Sequence, residues 1–395
     1  MEKISILFVC LGNICRSPMA EFVMKKIVPM LLTALMSVSS GCSSAGAAGI
    51  TDTPKNEPVD YAQQMLDSMT LEEKVGQMFF VRYTDDETVL NDIDGYEMGG
   101  LILFARDFED KTKEDVISQL SACQERSKTP LLIGVDEEGG LVNRVSKFTQ
   151  FRSEPFKSPQ ELYAEGGFDL IASDTDEKCA LLSSLGINVN LAPVCDVSQD
   201  SSAFIYDRTL GQDAALTSQY ASTVVTEMKK YHMGSALKHF PGYGDNGDTH
   251  TDIITDNRPL ETFESSDFLP FKAGIDAGCD MVLVSHNIVT SMDSEYPASL
   301  SPAVHNILRN ELGFNGVIMT DDLSMAAITE YTDGKAAAVQ AVKAGNDLLC
   351  CTDYTVQIPA VIEAVKSGEI SEETINASVK RILQMKINLG IIKTE

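Results

Sequence analysis

Tryptophan is missing from all 395 residues, so any aromatic surface that stacks on a ligand must be built from the 16 Phe and 11 Tyr. Basic residues are scarce: 31 Lys+Arg stand against 58 Asp+Glu, a net charge of −27. That balance excludes nucleic acid and other polyanions as ligands, because such partners need a basic surface. It favours a neutral or small substrate. Histidine is rare, with five in the chain. No Cys-x-x-Cys pair and no His/Cys cluster at zinc-ligand spacing occurs, so neither a metal nor another cofactor is expected. The nine cysteines are an odd number. Cys195, Cys279, Cys350 and Cys351 lie in or beside apolar runs and read as buried thiols rather than a disulfide framework. Cys350 and Cys351 are sequence neighbours, poorly placed to bridge one another.

What is present begins with a change of character. Residues 24–42, MKKIVPMLLTALMSVSSGC, open on Lys25 and Lys26, run apolar from Ile27 to Val38, and reach Gly41-Cys42 through small residues. This is the pattern of an export signal that ends at a lipid-modified Cys42. The apolar run is too short to cross a bilayer core of about 30 Å as a helix. Ser39 stands where such signals usually carry Leu; cleavage elsewhere, or a fortuitous apolar helix, are the alternatives. Residues 43–57, rich in Ser, Ala and Gly at their start, read as a flexible linker.

From residue 58 the pattern becomes regular. Thr70-Leu-Glu-Glu73 is a capping box that opens a helix. Apolar strand-like runs follow at Val75–Val81, Gly100–Phe104, Leu131–Val135, Ile187–Val194, Ser235–His239, Met281–Ser285, Gly316–Thr320 and Asp347–Cys350. Helix-length amphipathic segments, such as Ala214–Tyr231 and Met325–Ala344, fill most of the intervals. The tail from Glu372 to Leu389 puts Ile375, Val379, Ile382 and Leu383 on one face, with Gly390 as the stop. Eight strands alternating with helices over residues 58–395 predict an α/β fold, a (β/α)8 barrel with its site at the strands' C-terminal ends. An open doubly wound sheet is the alternative. No second domain is expected after the tail helix.

The ends of these runs carry the chemistry. Run three closes on Asp136-Glu-Glu-Gly-Gly140, run four on Asp196, run five on Lys238-His239, run six on His286-Asn287 and run seven on Asp321-Asp322. A single charged strand end is ordinary, since βα loops are polar. Five on one rim make a poor core and a good pocket for a polar ligand. The stretch KHFPGYGDNGDTH, Lys238 to His250, sharpens this. Gly242, Gly244 and Gly247 suggest a freely bending loop that can approach a ligand. Asp248 and His250 are two apart and project to one side of an extended segment. A carboxylate beside an imidazole favours its protonated form and orients it, so the pair can deliver a proton to a leaving oxygen. An Asx-type turn with a surface histidine is the plain alternative.

Residues 58–395 resemble glycoside hydrolase family 3, in its single-domain β-N-acetylglucosaminidase branch. The matching stretches are VDEEGG (135–140), INVNLAPVCDV (187–197), YDRTLG (206–211), KHFPGYGDNGDTH (238–250) and GVIMTDDLSM (316–325). The resemblance implies Asp321 as nucleophile and His250 as general acid/base, with Asp248 as its orienting partner. It implies Asp136, Arg144, Arg208, Lys238 and His239 as hydrogen-bonding partners of the sugar hydroxyls and acetamido group. Asp322 is expected to be structural. Leu141 stands where the family usually has Arg, and Tyr243 where His is common, which leaves the outer subsites open.

Cleaving a glycosidic bond passes through an oxocarbenium-like state that needs a proton donor on the leaving oxygen and a carboxylate on the opposite face. The expected activity is therefore a retaining β-N-acetylhexosaminidase that acts through a covalent glycosyl-enzyme on N-acetylglucosamine-containing glycans, with peptidoglycan fragments as the candidate source. A phosphorylase, in which phosphate takes the sugar in the second step, is the alternative. A non-catalytic sugar-binding lipoprotein is a further one.

FVCLGNICRSPMAE, residues 8–21, resembles something else: the phosphate-gripping loop of a low-molecular-weight tyrosine phosphatase, with Cys10 as thiolate and Arg16 on the oxygens. That likeness covers about residues 1–26, and Asp-Pro, the source of that family's acid, occurs nowhere in the chain. One strand and one helix cannot bury a core. Residues 1–23 are therefore expected to be a truncated, non-functional fragment. The exported protein would start at Met24 and sit lipid-anchored on the extracytoplasmic face; residues 1–23, if kept, would mask the signal and leave it cytoplasmic. Oligomeric state is not legible.

Overall fold

A computed structural model describes residues 59–249, 252–351 and 353–394. The chain divides into two units, Met1–Val59 and Asp60–Glu395. The expected signal, Cys42 and the Cys10–Arg16 loop all lie outside the described residues.

The second unit starts with helices Tyr61–Ser68 and Leu71–Gln77. The Thr70 capping box forms as expected: Glu73 N donates to Thr70 Oγ1 at 3.2 Å, and Thr70 N to Glu73 Oε2 at 2.7 Å. The first apolar run is thereby divided. Val75 to Gln77 belong to the helix that this box nucleates, and the strand covers Phe79–Arg82. Periodicity cannot separate a buried helix end from a buried strand within one apolar run.

Eight strands form the main sheet: β1 Phe79–Arg82, β2 Gly100–Leu103, β3 Leu132–Val135, β4 Val189–Asn190, β5 Gly234–Phe240, β6 Met281–Val284, β7 Val317–Thr320 and β8 Leu349–Cys351. Each pairs in parallel with the next as far as β7, and β8 pairs in parallel with β1, Phe80 opposite Cys350. A bridge between Met319 and Leu348 links β7 to β8 and closes the ring. The open-sheet alternative falls at that bridge; the architecture is a (β/α)8 barrel. The strands are apolar on both faces because helices cover the outside and side-chain layers fill the inside.

One inner layer shows how the filling works. Phe80 points inward, and its ring occupies space left by two glycines on neighbouring strands. A Cβ on Gly134 would meet Phe80 Cζ at 2.5 Å, and one on Gly100 would meet its Cδ2 at 2.7 Å. A fully buried Phe contributes roughly 1.5–3 kcal/mol. Outside the barrel, Phe240 stacks with Phe268 at 5.6 Å and meets Phe271 edge-on at 5.1 Å, anchoring the helix Phe268–Ala277 on β5.

The helical expectations hold with one correction. Helix Ala214–Lys230 is capped by Asp213, and the tail helix Glu372–Asn388 buries Ile375, Val379, Ile382 and Leu383. The segment Met325–Ala344 is two helices, Ala326–Thr329 and Gly334–Ala344. Asp333 caps the second by accepting from Ala336 N at 3.0 Å, which imposes a start inside a pattern that reads as continuous.

Candidate active site

The C-terminal ends of the strands open on a cleft of about 410 Å³. Asp136, Arg144, Arg208, Lys238, His239 and Asp321 all line it, so six of the residues singled out from the sequence meet in one place. They come from the ends of β3, β5 and β7 and from two loops, which is where a parallel barrel presents its free polar groups.

Four of the eight Asp, Glu, Lys and Arg side chains that line this cleft form one matched cluster. Lys238, 2% exposed, lies 2.6 Å from both Asp136 Oδ1 and Glu138 Oε1. Arg208 grips Glu138 with both arms of its fork, Nε at 3.0 Å and a terminal nitrogen at 2.8 Å. Burial pushes the Glu138 carboxyl up, but Arg208 and Lys238 outweigh it and hold the group well below the usual carboxylate range. Burial likewise works against the Lys238 ammonium, and Asp136 and Glu138 reverse it, holding the lysine above its ordinary value. Glu138 is thus the hub of the wall, a role that the sequence motifs do not assign. The signal was available: it stands two residues after Asp136, on the same side of an extended segment.

His239 is fixed by a second hidden carboxylate. Asp196 Oδ2 lies 2.8 Å from His239 Nδ1 and also accepts from His239 N at 3.1 Å. Arg208, which can only donate, approaches His239 Nε2 at 3.2 Å, so Nε2 accepts and Nδ1 carries the hydrogen toward Asp196. Asp196 Oδ1 also accepts from Tyr243 N at 2.7 Å, tying together both ends of the turn after β5.

That turn is the main correction to the sequence reading. Its first two glycines do not loosen the loop; they let other groups clamp it. Gly242 has φ +119° and a Cβ there would lie 2.4 Å from Asp267 Oδ1, while at Gly244, φ +55°, it would lie 2.5 Å from the Arg258 guanidinium. Arg258 binds Gly242 O at 3.0 Å, Asp267 Oδ1 at 3.0 Å and Asp256 Oδ2 at 2.8 Å. Tyr243 is buried rather than facing the outer subsites: its ring meets His239 edge-on at 5.2 Å, and its hydroxyl bonds to Thr249 Oγ1. Burial and the nearby Asp321 charge push that hydroxyl up. Leu141, the other departure, is 72% exposed.

Asp321 sits just beyond β7, its N–H donating to Val284 O on β6 at 3.0 Å and its Oδ1 accepting from Asp322 N at 2.9 Å. His286 donates from Nε2 to the Asp322 carbonyl at 3.0 Å, and its Nδ1 meets Ser299 Oγ at 2.7 Å, so it braces the loop behind the cleft. Asp248 is half-buried and is not among the residues lining the cleft; His250 lies outside the described residues. Glu137, next to the hub, faces away. Its carboxylate accepts from Arg144 N at 2.7 Å, Val145 N at 2.8 Å and Ser146 N at 3.1 Å, which folds the loop that presents Arg144.

Comparison with known proteins agrees with this geometry. The model of the glycosyl hydrolase family 3 N-terminal domain matches residues 70–385, and that of the low molecular weight phosphotyrosine protein phosphatase matches residues 5–72. The second match runs further along the chain than the fragment expected from the sequence. A beta-hexosaminidase of Xanthomonas campestris pv. campestris (strain B100) is 35% identical over 303 residues, 75% of this chain and 85% of its own length. One of Xylella fastidiosa (strain M12) is 34% identical over 259 residues, 64% of this chain and 74% of its own. Among solved structures, a family 3 beta-N-acetylglucosaminidase from Paenibacillus sp. str. FPU-7 superimposes with a TM-score of 0.77 at 31% identity, covering 83% of this chain. The present chain spans 64% of that protein. A family 3 member from Mycobacterium smegmatis gives 0.73 at 30% identity, covering 81% of this chain and 98% of its own.

Proposed function

Because the chain belongs to glycosyl hydrolase family 3, we propose that it is a retaining β-N-acetylglucosaminidase that releases terminal β-linked N-acetylglucosamine from glycans, peptidoglycan fragments among them. The observation that carries this reading is the meeting of Asp321 with the Asp136–Lys238–Glu138–Arg208 network in a single cleft. A sugar presents several hydroxyls in fixed directions, and a wall of matched, immobile charges offers donors and acceptors at fixed points.

In the proposed reaction Asp321 attacks the anomeric carbon while His250, oriented by Asp248, protonates the leaving oxygen. The bond to the leaving group breaks as the Asp321–sugar bond forms. His250 then takes a proton from water, which displaces Asp321 and returns the sugar with its configuration retained. Positioned acid/base catalysis of this kind contributes about 10²–10⁴-fold. Asp136, Arg144, Arg208, Lys238 and His239 hold the aminosugar. Relatives named beta-hexosaminidase and beta-N-acetylglucosaminidase support the substrate assignment.

The test compares an aryl β-N-acetylglucosaminide with the matching β-glucoside, with and without phosphate, for wild type and Asp321→Asn. Turnover of the aminosugar alone is expected, independent of phosphate, and reduced by at least about 10³-fold in the variant. A variant at full rate removes Asp321 as nucleophile; a sugar phosphate as product makes the enzyme a phosphorylase. We further propose that the protein is exported and anchored through lipid on Cys42, with residues 1–23 absent from the mature chain. Radiolabelled palmitate should enter the wild type in the native host and not Cys42→Ser, and a mature N-terminus retaining Met1 would reject export.

A further inference from the structure

Thr249 stands in the chain between Asp248 and His250, the pair proposed to deliver the proton, and it is fully buried. The chain reaches it from Tyr243, also buried, by an excursion in which Asp245 and Gly247 are exposed. Tyr243 and Thr249 thus mark the two inner ends of a short outward loop, and their hydroxyls bond to each other across it. Thr249 has a second anchor. Its carbonyl accepts from Ala327 N at 3.4 Å, on the helix Ala326–Thr329 that follows Asp321 and Asp322.

Tyr243 is itself firmly held. Its N–H donates to Asp196 Oδ1 at 2.7 Å, and its ring stands edge-on to His239 at 5.2 Å and tilted against Phe204 at 6.0 Å. Its carbonyl accepts from Asn246 Nδ2 at 2.8 Å, and that amide also donates to Asp256 Oδ2 at 2.7 Å. Asp196 in turn fixes His239, which lines the cleft. A line of bonds therefore runs from His239 through Asp196, Tyr243 and Thr249 to the loop that carries Asp321. A hydroxyl pair in a dry site is costly to leave half made, because the remaining group has no water to turn to. Tyr243 is not among the residues lining the cleft, so any effect of its hydroxyl on the reaction passes through Thr249.

We propose that the Tyr243–Thr249 hydroxyl bond is a positioning device that pins the proton-delivering segment to the turn beside the sugar-holding wall. The inference rests on the hydrolase reading above, in which His250 protonates the leaving oxygen. Tyr243 and Thr249 are positioning residues, acting through the neighbours of Thr249 in the chain. A misplaced proton donor weakens protonation of the leaving oxygen and leaves attack by Asp321 in place. The loss therefore depends on how much the leaving group needs a proton, a dependence that a general loss of structure does not produce.

The test measures kcat/KM, which reports the steps up to departure of the leaving group, on two β-N-acetylglucosaminides. Dinitrophenolate leaves as a stable anion without a proton, whereas phenolate needs one. Tyr243→Phe and Thr249→Val are each expected to lower kcat/KM for the phenyl glycoside by about tenfold to a hundredfold. Both should leave the dinitrophenyl glycoside within about twofold of wild type. Thr249→Ser keeps the hydroxyl and should retain most of the wild-type ratio between the two substrates. The double variant Tyr243→Phe/Thr249→Val should lose no more than either single one, since both break the same bond. Equal losses on the two glycosides overturn the proposal, and so do unchanged rates on the phenyl glycoside in both single variants. Absence of turnover of either glycoside by wild type sinks the hydrolase reading and this proposal with it. Wild-type turnover with losses that ignore the leaving group sinks this proposal alone.

Discussion

Two lysines of this barrel are equally hidden from water and stand at opposite ends of it. Lys238, near the C-terminal end of β5, has carboxylate oxygens of Asp136 and Glu138 each at 2.6 Å. Among the described residues Lys386, on the tail helix, reaches only the amide oxygen of Gln77, 2.7 Å away and just ahead of β1. Burial disfavours an ammonium at both places. At Lys238 two carboxylates outweigh it and the group is held above its ordinary value. At Lys386 nothing offsets it, and burial pushes the amine down to about 7. The open end of the barrel keeps its buried charge by matching it, and the closed end accommodates a lysine by letting its proton go. Only the first arrangement leaves fixed ions facing a cleft.

The comparison breaks most visibly at the hub. Glu138→Gln leaves Arg208 without its carboxylate and Lys238 with one in place of two. An unfolding free energy lower by about 3–5 kcal/mol is expected from urea titration, together with weakened aminosugar binding. The folded Glu138 lies below its unfolded value of 4.5, so its contribution is full above that pH and is lost as acid brings the carboxyl toward its folded value. The variant should accordingly lose less stability than wild type when the pH falls below 4.5. A parallel acid loss in both proteins would mean that the network is not what holds the rim.

An effect of the opposite pH dependence is expected at the closed end. The folded amine of Lys386 lies near 7 against 10.5 for the free side chain, so folding carries a penalty that is full below pH 7 and is relieved as the pH rises to 10.5. Wild type should therefore gain stability on Lys386→Met across that interval, by up to roughly 1.4 kcal/mol per pH unit. Loss of the Gln77 bond shifts the variant by an amount that does not depend on pH. A flat difference between the two proteins from pH 7 to 10.5 would show that Lys386 keeps its proton.

Much of the fold is legible in the sequence because apolar runs are local and repeated. Each of the eight runs overlaps a barrel strand. What fails does so at boundaries: the Val75–Val81 run hides a helix end, and reading its strand as ending at Val81 passes over Arg82, one residue further on. The site is legible where strand ends carry charge, and the residues expected to hold the sugar do meet in the cleft. Glu138 and Asp196 escape assignment because a carboxylate's role depends on which cation or imidazole faces it. The glycines of the β5 turn are misread for a related reason: a missing Cβ looks like freedom until Asp267 and Arg258 are seen occupying its place.

The sequence by itself determined the number and order of the strands, the helix caps at Thr70 and Asp213, and the rim on which the polar groups gather. Each of these follows from side chains a few residues apart. Tertiary structure alone decided which charges neutralise each other. Lys238 meets Asp136 across 102 residues and Arg208 meets Glu138 across 70. Pairing at such separations is selected by desolvation within the closed ring, where an unmatched ion costs more than a matched one; no local pattern encodes it.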